Sequence, residues 1–174
     1  FIEDIALCTI PCAIITRPGA ESRRGETNGI KQILEEYYTE IEEIITPGTL
    51  EAGDVMMAGN HFFIGISNRT NVAGADQLIS ILEKYGMTGS KVPLRKMLHL
   101  KSGASYLDNN IMLVAGEFKT ETQFRKFNLI EVDDDEIYAA NSLWINGEVI
   151  VAEGFPKTRK KIEKAGFETL TLDV

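Results

Sequence analysis

The 174 residues carry 26 acidic and 18 basic side chains, a net charge of −8, with 25% charged and 44% hydrophobic residues. This is one ordinary domain's length with enough apolar content for a core, which excludes a disordered tail, a collagen-like fibre and a low-complexity linker. The acidic excess argues against a nucleic-acid partner, which calls for clustered Lys and Arg, and suits a small cationic ligand.

The chain opens on a strand-like stretch from Phe1 to Cys8 and closes on an alternating Leu170, Leu172 and Val174. It is therefore expected to be a single domain over residues 1–174, incomplete at both ends. In between, one unit recurs about every 40 to 50 residues: strand, strand, helix, strand. In the first copy, Cys12 to Ile15 form a strand, Ile30, Ile33, Leu34 and Tyr37 fall at helical spacing, and Ile41 to Ile45 return as a strand. The second runs from His61–Ile66 through a helix bearing Leu78, Ile79, Ile81 and Leu82 to Lys91–Pro93. The third runs from Ile111–Ala115 through a helix around Phe124 to Leu129–Val132. The fourth runs from Glu148–Val151 through a helix opened by Pro156 to Thr169–Leu172. A turn and a further strand precede each opening strand, the turns being Ile10-Pro11, Gly59-Asn60, Asn109-Asn110 and Asn146-Gly147. Repetition of this kind points to an α/β propeller; an open mixed sheet is the alternative.

Five spots carry polar groups that the strand and turn pattern does not demand. Glu3-Asp4 places two acids in an apolar strand, where they meet either a guanidinium or ammonium group, or solvent at an edge. Arg17 to Arg24 is a turn followed by a basic cluster, and Arg69 lies at the analogous place in the second unit. Arginine forks suit a carboxylate, and the alternative for Arg23 is a solvated pair with Glu26. Leu50-Glu51-Ala52-Gly53-Asp54-Val55 flanks a small Ala-Gly step with acids, or is an ordinary turn. Leu98-His99-Leu100-Lys101-Ser102 is expected as a strand with both leucines on one face and His99 on the other, an arrangement found in structural as well as catalytic histidines. His61 is assigned to the surface.

Other chemistries lack support. No run approaches the ~18 apolar residues of a spanning helix, so no membrane partner is expected, and no signal peptide is visible. Two cysteines, Cys8 and Cys12, point to a reducing cytoplasm; apolar surroundings would make them poor nucleophiles. Zinc-ligand spacing, GxGxxG, GxxxxGK[ST] and GxSxG are missing, so neither metal nor cofactor is expected.

Taken together, Phe1–Asp4, Ile15–Ala20, Ser22–Arg24, Leu50–Val55, Arg69–Asn71 and Leu98–Ser102 resemble, in order, the dimethylarginine dimethylaminohydrolase family, and Glu153–Thr158 is similar to its bacterial members. That family belongs with arginine deiminases and amidinotransferases, and its fold is a five-bladed α/β propeller (pentein) of ββαβ units, about four of them present here. The resemblance implies a hydrolase acting on the guanidino carbon of a cationic arginine derivative by Cys-His-Glu covalent catalysis, converting dimethylarginine to citrulline and dimethylamine. It implies that Glu3 and Asp4 bind the guanidinium, that Arg23 and Arg69 grip the α-carboxylate, and that His99 is the general acid/base oriented by Glu51. Asp54 and Ser102 support them. Ala52 stands where many relatives carry Gly. The family's nucleophilic cysteine lies beyond the strand matching 168–174, Cys8 and Cys12 match no catalytic position, and the 174 residues alone are expected to be inactive. Arginine deiminase, citrulline hydrolase and a non-catalytic binding propeller stay open as alternatives, as does the oligomeric state.

Overall fold

Each predicted repeat condenses into its own three-stranded sheet of one antiparallel and one parallel pair. The computed structural model describes residues 2–174, with side chains from Glu3 onward; Phe1, part of the expected first strand and of the first family motif, lies outside the described residues. The chain forms two compact units, one ending at Leu94 and the other spanning Arg95–Val174.

In the first unit, β1 (Ala6–Cys8), β2 (Ala13–Ile15) and β3 (Ile41–Glu43) lie in that order. β1 pairs antiparallel with β2, Ala6 opposite Ile15, and β2 runs parallel to β3, Ala13 opposite Ile41. A one-turn helix, α1 (Ile30–Leu34), makes the crossover. The next sheet repeats the plan with β4 (Val55–Ala58), β5 (His61–Ile66) and β6 (Thr88–Pro93), crossed by α2 (Val72–Lys84). β5 is the central strand, and Phe62, Phe63 and Ile64 are all buried, which is why its sequence is a continuous apolar run rather than an alternating one. Asn71 caps α2, its Oδ1 accepting from the Gly74 N–H at 2.7 Å and from the Thr49 N–H at 3.0 Å. One turn apart on α2, Leu78 and Leu82 pack with Ile14, Leu50, Val55 and Phe62 in one core.

The second unit holds β7 (Ala104–Asp108), β8 (Ile111–Val114) and β9 (Asn128–Glu131), then β10 (Leu143–Ile145), β11 (Glu148–Ala152) and β12 (Glu168–Leu172), with α3 (Pro156–Lys164) before the last strand. Its core gathers Leu107, Leu113, Val132, Val149, Val151 and Ile162. The Asn146-Gly147 turn joining β10 to β11 has φ of 52° and 90°, the left-handed pair that a two-residue hairpin of this twist requires.

Four expectations need correction. The opening strand is confined to Ala6–Cys8, because residues Ile2–Ile5 coil into a 3-10 turn that buries Asp4 and Ile5. The strand expected over Ile41–Ile45 ends at Glu43, and the first helix ends at Leu34, leaving Ile33 and Tyr37 exposed. The crossover around Phe124 is two 3-10 turns, Gly116–Thr120 and Thr122–Phe124, instead of an α-helix; buried Phe118 and Phe124 anchor it through their rings. The fourth concerns the stretch around His99.

Candidate active site

In the first unit, two buried acids converge on one basic side chain. Asp4 is 4% exposed and Glu51 fully buried. Nη1 of Arg23 lies 3.1 Å from Asp4 Oδ2 and 3.1 Å from Glu51 Oε2. Nε and Nη2 of the same guanidinium donate to Glu26 at 3.0 and 2.8 Å. Glu26 first, then Asp4 and Glu51, hold the Arg23 guanidinium well above its ordinary range against the desolvation that opposes it. The same pairing lowers Glu26. Buried carboxylates are costly unless a cation and N–H donors compensate them. The donors are present: Gly53 N–H to Asp4 Oδ1 at 2.9 Å and Gly19 N–H to Glu51 Oε1 at 3.2 Å. Arg69 stands further off, its Nη1 4.0 Å from Glu51 Oε1 and its side chain one-third exposed. The two acids are thus arranged so that a planar cation with several N–H groups can bridge them, and Arg23 already does so with one nitrogen.

Two loops build this arrangement. Residues Ala52–Asp54 form a 3-10 turn that carries Glu51 at its start and Asp54, fully buried, at its end. The loop after β5 faces it, and hydroxyl bonds tie the two together. The Ser67 Oγ–H donates to Asp54 Oδ2 at 2.7 Å, and the Glu51 N–H donates to Thr70 Oγ1 at 3.1 Å. Gly19 lies against the backbone of Arg69, where a Cβ would come within 2.4 Å of the Arg69 carbonyl oxygen.

In the second unit, His99 is extended backbone immediately before a 3-10 turn over Leu100–Ser102. This corrects the strand expected there. Leu100 is fully buried and Leu98 is 58% exposed, so the two leucines do not share a face and Leu100 alone anchors the segment. The Ser102 N–H donates to the His99 carbonyl at 3.2 Å. Upstream, the carboxylate of Glu117 gathers the N–H groups of Arg95, Lys96 and Met97 at 2.8–3.2 Å. Burial alone would raise this acid, but the three N–H donors outweigh it and hold it below the ordinary range.

Of the residues singled out in the sequence, Asp4, Arg23, Glu51 and Arg69 thus come together, with Asp54 behind them. Glu3 is exposed beside Asp4. His99 and Ser102 share one short segment of the second unit. Sequence reasoning did not find Ser67, Thr70, Gly19 or Glu117 as organisers. For Ser67 a signal existed, since Ser two residues before Arg69 is placed to accept the backbone N–H groups that follow it. The two cysteines flank the β1–β2 turn, at the strand ends remote from Asp4. Cys12 is buried, and burial pushes its thiol up. Cys8 is exposed. It borders a cavity of about 840 Å³ lined also by Tyr37, Tyr38, Met57 and Tyr85, which contains none of the candidate site residues. His61 holds Thr88 and Ser90 across β5–β6 through its two ring nitrogens, at 2.8 and 2.9 Å. None of the described helices is long and apolar enough to cross a membrane.

Residues 4–168 match the family model described as arginine deiminase. The chain is 53% identical over 174 residues to N(G),N(G)-dimethylarginine dimethylaminohydrolase of Pseudomonas aeruginosa, covering 99% of this chain and 68% of that protein. The enzyme of the same name from Streptomyces coelicolor is 32% identical over 176 residues, covering 100% of this chain and 67% of that protein. A solved structure of the P. aeruginosa protein, a cysteine-to-serine variant in complex with citrulline, superimposes with a TM-score of 0.98 over 99% of this chain and 68% of its own. The likeness extends at 18% identity and a TM-score of 0.88 to the N-terminal domain of a cyanobacterial arginine dihydrolase, which bears on the fold alone. The fold class is accordingly the α/β propeller type with ββαβ repeats. By its family-model match and its identity to both bacterial enzymes, the chain belongs to the dimethylarginine dimethylaminohydrolase branch of the arginine deiminase family.

Proposed function

We propose that this protein hydrolyses the guanidino group of an Nω-methylated arginine, dimethylarginine first, giving citrulline and dimethylamine. The observation that carries the reading is the 53% identity over 174 residues to the P. aeruginosa dimethylarginine dimethylaminohydrolase. The convergence of Asp4 and Glu51 on a guanidinium nitrogen supports it.

Chemically, a guanidinium carbon is a poor electrophile because its charge is delocalised over three nitrogens. Acids such as Asp4 keep the group protonated and planar. A cysteine thiolate adds to the carbon, and the adduct expels dimethylamine, which takes its proton from His99. The S-alkylthiouronium that remains is attacked by water, whose proton returns to the imidazole, and the thiolate leaves as the ureido product forms. Glu51 is assigned the stabilisation of the charged imidazole. Arg69 is assigned the substrate's α-carboxylate, and Arg23 joins it when it releases the acids it now bridges. The nucleophile is assigned to a cysteine of the full-length protein outside these 174 residues, because Cys8 and Cys12 flank a turn remote from Asp4. The substrate is a cationic amino acid. Sparse cysteines, both free, support a cytoplasmic location.

The test is an assay, with full-length protein, of citrulline formed from dimethylarginine and from arginine, in parallel with ornithine formed from citrulline. Turnover of dimethylarginine, abolished by His99→Gln with the fold retained, is expected. The match of residues 4–168 to the arginine deiminase model favours one second reading, in which arginine itself is the substrate and ammonia the leaving group; preferred turnover of arginine would establish it.

A further inference from the structure

The carboxylate-binding arginine needs a fixed backbone, and the hydrogen bonds around Ser67 supply one. The Ser67 hydroxyl accepts from the Arg69 N–H at 3.0 Å and from the Thr70 N–H at 3.1 Å, and donates its own proton to Asp54 Oδ2 at 2.7 Å. One oxygen thus fixes the turn that presents Arg69 and ties it to the turn that presents Glu51. The Ser67 N–H donates to the Thr70 carbonyl at 3.0 Å, closing the loop on itself, and the Thr70 hydroxyl accepts the Glu51 N–H at 3.1 Å. Asp54 is fully buried, and its own N–H donates to the Glu51 carbonyl at 2.9 Å, so it cannot shift without moving Glu51. Opposite, Gly19 closes the assembly by lying on the Arg69 backbone while donating to Glu51.

We propose that Ser67, held by Asp54, is a positioning residue that sets the specificity of the site for α-carboxylate-bearing substrates by fixing the backbone of Arg69. This inference rests on the function proposed above. A side chain reaching solvent from an unfixed loop would spend binding energy on its own ordering, whereas a clasped turn presents the guanidinium already in place. The alternative, that Ser67 merely stabilises the fold, predicts equal effects on every substrate.

The experiment uses full-length protein and four variants: Ser67→Ala, Ser67→Thr, Arg69→Ala and the double variant Ser67→Ala/Arg69→Ala. For dimethylarginine, Ser67→Ala is expected to raise KM about tenfold with kcat changed less than about twofold, the signature of lost uniform binding. Ser67→Thr keeps the hydroxyl and is expected to stay within about twofold of the unmodified enzyme. The double variant is expected to match Arg69→Ala alone, since Ser67 acts through it. For a methylated agmatine, which has the guanidine but no carboxylate, KM is expected to be the same with and without the Ser67 hydroxyl. If Ser67→Ala melts too early to assay, Ser67→Cys, of similar volume and weaker hydrogen bonding, takes its place, and citrulline affinity by calorimetry is read alongside KM. An unchanged KM for dimethylarginine, a pure fall in kcat, additive losses in the double variant, or an equal loss on the carboxylate-free substrate would each overturn the proposal while leaving the hydrolase reading intact. An unmodified full-length protein that neither turns over dimethylarginine nor binds citrulline overturns both.

Discussion

Gly19 and Arg69, fifty residues apart in the chain, touch through their backbones: a Cβ at Gly19 would stand 2.4 Å from the Arg69 carbonyl oxygen and 2.8 Å from its Cα. Neither neighbour is a flexible side chain that could swing away. Gly19→Ala must therefore push one loop off the other, and the Gly19 N–H to Glu51 bond goes with it. We expect a loss of about 1–3 kcal/mol in urea unfolding, the usual range for overpacking, with a raised KM for dimethylarginine. An alanine variant as stable and as tight-binding as the parent would show that this contact opens freely.

Arg23 makes a different demand, because its fork serves three acids at once. Arg23→Ala leaves Asp4 and Glu51 buried without the cation that both face, and a lysine cannot replace it, having a point charge in place of a planar fork. Both variants are expected to lose stability, by about 1.5–3 kcal/mol for hydrogen bonds to charged groups, with Arg23→Lys recovering less than half. Thermal melts of the three proteins under one buffer check this, and a fully rescued lysine variant would reduce Arg23 to a mere charge.

Glu136 gives the chain a pH-dependent fastening. Its carboxylate, almost fully buried between β9 and β10, accepts the Lys157 N–H at 3.1 Å and both the N–H and hydroxyl of Thr158 at 2.7 Å, at the start of α3. Burial pushes this acid up, but the bonds from Thr158 and Lys157 outweigh it and hold it below the ordinary range. A carboxyl lowered in the folded state adds stability that is fully present above its unfolded value, ~4.3, and is lost as pH falls through the folded one. Glu136→Gln is thus expected to cost about 1–3 kcal/mol at pH 7 and progressively less as the acid range is entered. Urea unfolding of both proteins at several pH values measures the gap, and a gap that widens on acidification would contradict the assignment.

The two cysteines should differ sharply towards a thiol reagent. Cys8 is exposed, whereas Cys12 is buried with its thiol raised and held by Thr9 at 3.4 Å. Peptide mapping after brief alkylation of native protein is expected to find Cys8 modified and Cys12 intact. Replacing both by serine should leave turnover within about twofold, and loss of activity would reinstate one of them as the nucleophile.

The ββαβ rhythm was legible because apolar runs, glycine and asparagine turns and the Pro156 helix start are local signals that tertiary packing reinforces. What escaped is equally physical. Residues 2–5 coil because Asp4 turns inward to meet Gly53 and Arg23, partners 49 and 19 residues away that no local pattern encodes. The stretch around His99 alternates like a strand, yet Glu117 bends the chain before it and Leu100 alone is buried. Asp4, Glu51 and Arg69 could be named from their motifs, but Ser67, Thr70 and Gly19 act through single hydroxyls and N–H groups. Such residues look like ordinary loop composition until the two loops are seen face to face.

The grip of Glu117 on three successive amides has an evolutionary corollary. Because the bonds are to main chain, side chains at 95 and 96 are at liberty to drift between lineages without loosening the approach to His99, whereas Met97 also packs against the core of the second unit. Proline is the one newcomer these sites must refuse, since it brings no N–H to the carboxylate.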